Sequence, residues 1–301
     1  MKIIVTGASS FIGKALIREL YTQGHDITAV FRDSSDTSAF PPIGERFHSQ
    51  TLSMSQYQMI TGQYDAFIHL AWAGIRGPER MDAQLQANNV RYSLATLDAA
   101  VRTGCKQYMF AGSQAEYSVT TASEGVGQTA PVSTYGSSKL AFFTHASDFC
   151  ASHGLRITEP RLFSVYGEND YPGSLVISTL RRMLANEDCP LTTCEQLWDF
   201  LYISNAVEAL ISLLMHSSAN GVYDIGYGAL KPLKAYILEM AAVTQTQSRL
   251  LFGAIPAKHI IEIPRSPNID TIRNATGWQP KTPFRDGILQ TAISLGLRRE
   301  I

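Results

Sequence analysis

The sequence predicts a doubly wound α/β fold, in which helices cover both faces of a parallel sheet and a smaller substrate-binding region is interleaved with it. Three observations predict it. Short apolar runs alternate with amphipathic stretches over the first 160 residues. A glycine turn joins the first run to the first amphipathic stretch, and beyond about residue 166 the pattern loosens into short elements punctuated by proline. Buried strands separated by helices imply parallel pairing, because each helix returns the chain to the same end of the sheet and covers a face.

Strands are expected at Lys2–Thr6, Asp26–Phe31, Ala66–Ala71, Gln107–Ala111 and Arg156–Pro160. Between them, helices are expected near 11–23, 82–103 and 137–152. In the second, Leu85, Val90, Leu94, Leu97 and Val101 recur at helical spacing. Residues 166–198 are loop-rich, with Pro172, Gly173 and Pro190, and hold one helical run near 174–185. Phe200–Ile203 returns as a strand, followed by a helix over 205–216. After about 226 come shorter elements broken by Pro232, Pro256, Pro264, Pro267, Pro280 and Pro283. This divides the chain into a sheet domain of 1–165 plus 199–225 and a substrate region of 166–198 plus 226–301.

Composition excludes several classes. Among 301 residues, 45% are hydrophobic and 17% charged, as in an ordinary globular protein. A formal charge of -1 gives no electrostatic case for nucleic acid or an anionic membrane, and the pairs Arg181-Arg182 and Arg298-Arg299 read as solvated faces. Cys105, Cys150, Cys189 and Cys194 form no CxxC pair, which suits reduced thiols, and the seven histidines show no metal-ligand spacing. Lys2 leads straight into Ile3-Ile4-Val5, so no signal peptide is expected, and no apolar run is long enough to span a bilayer. A cytoplasmic protein is expected.

Thr6-Gly7-Ala8-Ser9-Ser10-Phe11-Ile12-Gly13 lies between the first strand and first helix. Gly7 permits a tight turn and Gly13 lets the helix pack closely on the sheet. The helix N-terminus, with Ser9, Ser10, Phe11 and Ile12, then offers N–H groups and a positive dipole end to a pyrophosphate. Ser10 stands where a middle glycine is usual. The second strand ends Val30-Phe31-Arg32-Asp33. A carboxylate at this tip would accept from the ribose of NAD, whereas an arginine accommodates the 2′-phosphate of NADP. Arg32 favours NADP; with the register one residue on, Asp33 would be the ribose acceptor and NAD the cofactor.

Tyr135 and Lys139, four residues apart, share one face at a helix entrance, and Ser113 lies 22 residues upstream of the tyrosine. An ammonium there lowers the pKa of the phenol from about 10, so that Tyr135 can donate or accept a proton near neutrality. A serine hydroxyl on a neighbouring strand end could hold a substrate carbonyl between them. This is equipment for moving a hydride on and off a carbon bearing oxygen. A second pair at the same spacing, Tyr227 and Lys231, is followed at once by Pro232 and has no serine-bearing strand before it, so it reads as coincidence.

Together these segments resemble the extended short-chain dehydrogenase/reductases, specifically the sugar-nucleotide epimerase/dehydratase/reductase group. The ordered match continues through Phe67-Ile68-His69-Leu70-Ala71, Asn88, Ser113 to Tyr117, Arg161–Gly167, Asp199–Ile203, Gly221–Gly226 and Thr276–Pro280. The resemblance implies that Tyr135 is the acid/base, that Lys139 holds the nicotinamide ribose, and that Ser113 hydrogen-bonds the reacting oxygen. It implies cofactor contacts from Leu70, Ala71, Asn88 and Phe163, and substrate contacts from Gln114, Ser164 and Leu175. Arg265 matches the arginine that usually grips the diphosphate, and a homodimer through the helices near 82–103 and 137–152 is expected.

The departures narrow the reaction. Dehydratases of this group carry Asp-Glu directly after the serine or threonine; here Gln114 and Ala115 stand there and cannot transfer protons. Glu116, one place further on, should point to the other side. Trp198 replaces a second phosphate-binding arginine, and Thr51-Leu52 stands for the usual Asp-Leu beside adenine. What remains is an NADPH-dependent reductase of a nucleotide-linked 4-keto-6-deoxyhexose, or a 4-epimerase that retains NAD. A non-catalytic dinucleotide sensor is the reading of another class, and it would not need Ser113, Tyr135 and Lys139 together.

Overall fold

The computed structural model describes residues 1–38, 40–123, 132–256 and 265–297; Pro264 and the Arg298-Arg299 pair lie outside them. In chain order the first half consists of β1 (Lys2–Thr6), α1 (Phe11–Thr22), β2 (Asp26–Phe31), β3 (Phe47–Thr51), β4 (Ala66–His69), α2 (Ala83–Arg102), β5 (Gln107–Phe110), β6 (Gly112–Ser113), α3 (Tyr117–Ser123) and α4 (Thr134–Ser152). Next come β7 (Arg156–Leu162), β8 (Ser164–Tyr166), α5 (Leu175–Leu184), β9 (Cys189–Leu191), β10 (Leu197–Trp198), β11 (Phe200–Tyr202) and α6 (Ile203–Met215). The chain closes with β12 (Gly221–Ile225), β13 (Lys231–Pro232), α7 (Leu233–Thr244), β14 (Leu250–Phe252), α8 (Asp270–Thr276) and α9 (Phe284–Ser294).

The main sheet runs β12-β7-β5-β4-β1-β2-β3, with β6 also on β7, and every pairing is parallel. Alternation along β1 sends Ile3 and Val5 to one face and Ile4 to the other, and all three are fully buried. The first face is covered by α1 and α6 through Leu16, Ile17, Leu20, Val207 and Leu210. The second is covered by α2 and α4 through Leu97, Ala100, Phe142, Ala146 and Cys150. A third cluster joins α5, α7 and α9 around Tyr166, Phe200, Tyr236 and Phe284. Among the described residues no helix is long and apolar enough to cross a membrane.

Four details differ from the sequence expectation. β3, with sequence Phe-His-Ser-Gln-Thr, buries only Phe47 because it is the edge strand, so it carries no apolar run. β4 stops at His69 and leaves Leu70 and Ala71 to turn across the sheet end. α4 begins at Thr134 rather than 137, because Ser133 caps it by accepting the Gly136 N–H at 3.1 Å. The inward face of α2 is a stripe of Gln86, Asn89, Ser93, Thr96, Leu97 and Ala100; of the expected apolar residues Leu97 is buried, Leu85, Val90 and Leu94 are half-buried, and Val101 is exposed.

Candidate active site

Strand order reverses between β1 and β4, since β1 is followed by its neighbour β2 on one side and β4 lies on the other. The loops leaving these two strands part there, and a crevice opens at the strand ends. Gly7 leaves β1 with φ +72°, and a Cβ on it would stand 2.6 Å from the Ala71 nitrogen; one on Gly13 would stand 2.4 Å from the Gly7 carbonyl oxygen. The turn is therefore bare main chain facing the N-terminus of α1. Ser10 caps that helix, its Oγ accepting the Gly13 N–H at 3.0 Å, which leaves the serine's own proton available to a ligand. These residues fit a nicotinamide dinucleotide.

From this turn a cleft of about 880 Å³ runs to the region of α5 and β9. Gly7, Ser9, Ser10, Phe11, Ile12, Arg32, Leu70, Ala71 and Phe163 line its first part, Ser113, Gln114, Tyr135 and Lys139 its middle, and Ser164 and Leu175 its far part. At the tip of β2 the Arg32 N–H donates to Ser35 Oγ at 3.1 Å, and Ser35 Oγ donates to Ser9 Oγ at 3.3 Å. Asp33 is exposed and does not line the cleft.

Tyr135 and Lys139 both lie inside α4, on its buried face. The Lys139 Nζ donates to the Ala111 carbonyl at 2.6 Å and sits over the rings of Trp72 at 4.4 Å, Phe110 at 4.5 Å and Tyr135 at 5.5 Å. Burial disfavours the ammonium and brings its pKa down to about 8, against the opposing pull of Glu116 and Glu159. The helix start is pressed onto the turn that carries Ser113: a Cβ on Gly136 would lie 2.3 Å from the Ala115 carbonyl oxygen. Ser113 Oγ accepts the Ala115 N–H at 3.2 Å, and Glu116 is fully buried away from the cleft. Beneath these groups His69 is held between Thr6 at 2.6 Å and Ser93 at 2.8 Å, and burial lowers its pKa to about 3, so it is a neutral strut.

Two expected site residues lie outside the cleft lining. Asn88 does not line the cleft; its side chain accepts from Gln84 at 3.4 Å, and its neighbour Asn89 is the buried one. Asn89 clamps the loop after β4, accepting the Ala73 N–H at 3.0 Å and donating to the Ala73 carbonyl at 2.9 Å. Helical phase decides this, because Asn89 shares the inward stripe with Gln86 and Ser93. Arg265 does not line the cleft either; its guanidinium lies over the Tyr117 ring at 3.9 Å.

The pair Tyr227 and Lys231 is structural. The Tyr227 N–H donates to Asp199 Oδ1 at 2.7 Å, and Lys231 pairs with Glu239 at 2.7 Å. Trp72, Arg76 and Arg80, all between β4 and α2, are among the cleft residues beyond those expected. Arg80 lies over the Tyr135 ring at 4.9 Å, and Arg76 pairs with Asp170 at 3.4 Å. The polar stripe on α2 was the available signal. Its Gln86 accepts the Trp72 indole N–H at 2.7 Å and donates to the carbonyls of Gly74 and Glu79, each at 3.1 Å.

Relatives match over nearly the full length. The chain is 25% identical to a CDP-abequose synthase from Salmonella muenchen, over 95% of each chain. It is 26% identical to a UDP-glucose 4-epimerase from Azospirillum brasilense, over 97% of this chain and 91% of that one. Among solved structures, a UDP-N-acetylglucosamine 4-epimerase from Methanobrevibacter ruminantium superposes with a TM-score of 0.85 at 20% identity, covering 98% of this chain and 97% of that one, and so shares the Rossmann-like fold. A family model matches residues 3–226, and with the parallel sheet and glycine turn this means that the chain belongs to the NAD dependent epimerase/dehydratase family.

Proposed function

We propose that the protein reduces a nucleotide-linked 4-keto-6-deoxyhexose to the 4-hydroxy sugar with NADPH. The observation that carries this reading is Arg32: it lines the cleft at the tip of β2, while Asp33 does not, which suits a 2′-phosphate. NADPH supplies a hydride to the carbonyl carbon when bound. Gly7, Ser9 and Ser10 would hold the pyrophosphate at the start of α1, and Lys139 would hold the nicotinamide ribose. Ser113 donates a hydrogen bond to the carbonyl oxygen, and Tyr135 delivers a proton to it as hydride arrives. Lys139, charged below about pH 8, stabilises the phenolate left behind. Ser164 and Leu175 face the sugar and nucleotide, and residues 166–198 plus 226–301 form the region that binds them. Gln114 and Ala115 provide no acid or base for eliminating water.

The second reading is a 4-epimerase that keeps NAD bound, favoured by the full-length match to the Azospirillum brasilense epimerase. Denaturing the purified protein and weighing any released dinucleotide separates the two: NAD marks the epimerase, whereas NADP or none marks the reductase. KM for NADPH should lie below that for NADH, and Arg32→Ala should erase the difference; an NADH-preferring enzyme indifferent to this change refutes the assignment. Tyr135→Phe should abolish turnover, and retained activity would refute the mechanism.

A further inference from the structure

Directly behind Ser113, away from the cleft, lie two fully buried carboxyl groups and one guanidinium. Glu159 and Arg161, two apart on β7, share a face, and the pairing of β6 with β7 sets Gly112 opposite Arg161 and Ser113 opposite Leu162. Glu116, from the turn after β6, reaches the same place. Its Oε1 accepts the Ser113 main-chain N–H at 2.7 Å, and its Oε2 lies 3.3 Å from Arg161 Nη2. Arg161 Nε donates to Glu159 Oε2 at 2.9 Å. Both glutamates have no exposed surface.

Two buried carboxyl groups share one guanidinium, and the cluster is short of hydrogen-bond donors. The oxygens without a hydrogen-bond donor are Glu116 Oε2 and Glu159 Oε1, one from each acid. Buried acceptors left in this way are costly, and a single proton between the acids satisfies both. Burial and the charge of Glu116 raise the Glu159 pKa well above the carboxylate range, against Arg161 and Lys139. With that proton in place, Glu116 and Arg161 cancel; Lys139 also acts on both acids, and Asp224, opposite Arg161 on β12, is engaged by the Tyr117 hydroxyl and the Asn268 N–H.

We propose that Glu116 is a positioning residue: anchored by Arg161 and by a proton shared with Glu159, its carboxylate fixes the main chain at Ser113 and so aims the serine hydroxyl into the cleft. This rests on the reading of Ser113 as the group that holds the reacting oxygen. The cluster touches neither cleft nor substrate; it holds Ser113 through its main-chain N–H, and its charge also favours the Lys139 ammonium.

The test uses the full chain and three variants. Hydrogen–deuterium exchange of a peptide spanning 111–117 reads the Ser113 amide without substrate, and kcat and dinucleotide Kd are measured alongside. Glu116→Ala should speed exchange and lower kcat about 100-fold, the cost of roughly 1 Å of misplacement, while Kd is unchanged. Glu116→Gln keeps an oxygen for the same N–H and should restore slow exchange and most of kcat. Glu159→Gln mimics the protonated acid, so its melting temperature at pH 8 should equal or exceed that of the parent. Unchanged exchange and kcat in Glu116→Ala, a parallel loss of dinucleotide affinity, or a Gln variant as poor as Ala would overturn the positioning role. A Glu159→Gln protein melting well below the parent would overturn the shared proton. If the parent turns over no nucleotide sugar, the functional reading fails and the exchange measurement still decides the role of Glu116.

Discussion

Gly136 lies between Tyr135 and the rest of α4, at the point where the helix rests on the Ser113 turn. Replacing it with alanine puts a Cβ 2.3 Å from the Ala115 carbonyl oxygen, where about 3.3 Å is comfortable. That oxygen is main chain and cannot rotate away, so helix and turn must part by about 1 Å. In an open helix the same substitution stabilises by roughly 0.4–1 kcal/mol. Here overpacking should cost about 1–3 kcal/mol instead, a fall of several degrees in melting temperature. The larger effect falls on rate, because Tyr135 and Lys139 travel with the helix while Ser113 stays with the turn. A displacement of about 1 Å between proton donor and carbonyl holder lowers kcat on the order of 100-fold. Steady-state kinetics at saturating cofactor, with a circular-dichroism melt, measure both. A Gly136→Ala enzyme with kcat within threefold of the parent and an unchanged or higher melting temperature would refute the contact argument.

Lys139 gives a pH prediction. Its folded pKa, about 8, lies below the unfolded value of 10.5, so between these the unfolded chain binds more protons and stability rises with pH. Lys139→Met should flatten melting temperature against pH in that window and raise it below pH 8, while the parent's kcat falls as pH rises through about 8. An unchanged pH slope in the variant would count against a buried, strained ammonium. Asp199 accepts N–H groups from Tyr227, Gly228 and Ala229 at 2.7, 2.8 and 3.0 Å, so Asp199→Ala strands three donors and should cost at least about 3 kcal/mol in urea unfolding. Ser133→Ala removes the cap of α4 and should cost about 1 kcal/mol in the same measurement, without changing dinucleotide affinity.

What the sequence disclosed follows the range of the interactions that decide each feature. β1, β2, β4 and β5 are buried on both faces and read as largely apolar runs, whereas edge strand β3 buries Phe47 alone and leaves no such trace. The glycine turn and the Tyr135–Lys139 spacing are local geometry, legible wherever they stand. Placement of Trp72, Arg76 and Arg80 depends on a loop tied down by Gln86 and Asn89, more than a full helical turn away in sequence, so its only trace is the polar stripe on α2 and nothing in the loop itself announces it. The choice between adjacent Asn88 and Asn89 depends on helix phase. The apolar residues Leu85, Val90 and Leu94 suggested one phase, while the buried stripe of small and polar residues adopts another. Arg265 is placed by a different contact: its guanidinium lies over the ring of Tyr117, outside the cleft lining.

The placement of the indoles has an optical consequence. The chain has three tryptophans, and two of them, Trp72 and Trp198, line the cleft, while Trp278 is buried in the core behind the sheet. Excitation near 295 nm therefore illuminates mainly the site, and a reduced nicotinamide entering it would accept that energy and re-emit in the blue. Because the Lys139 ammonium lies 4.4 Å above the Trp72 ring, the emission should also register loss of its charge. The protein carries its own reporter of occupancy and protonation, readable without a label or a known substrate.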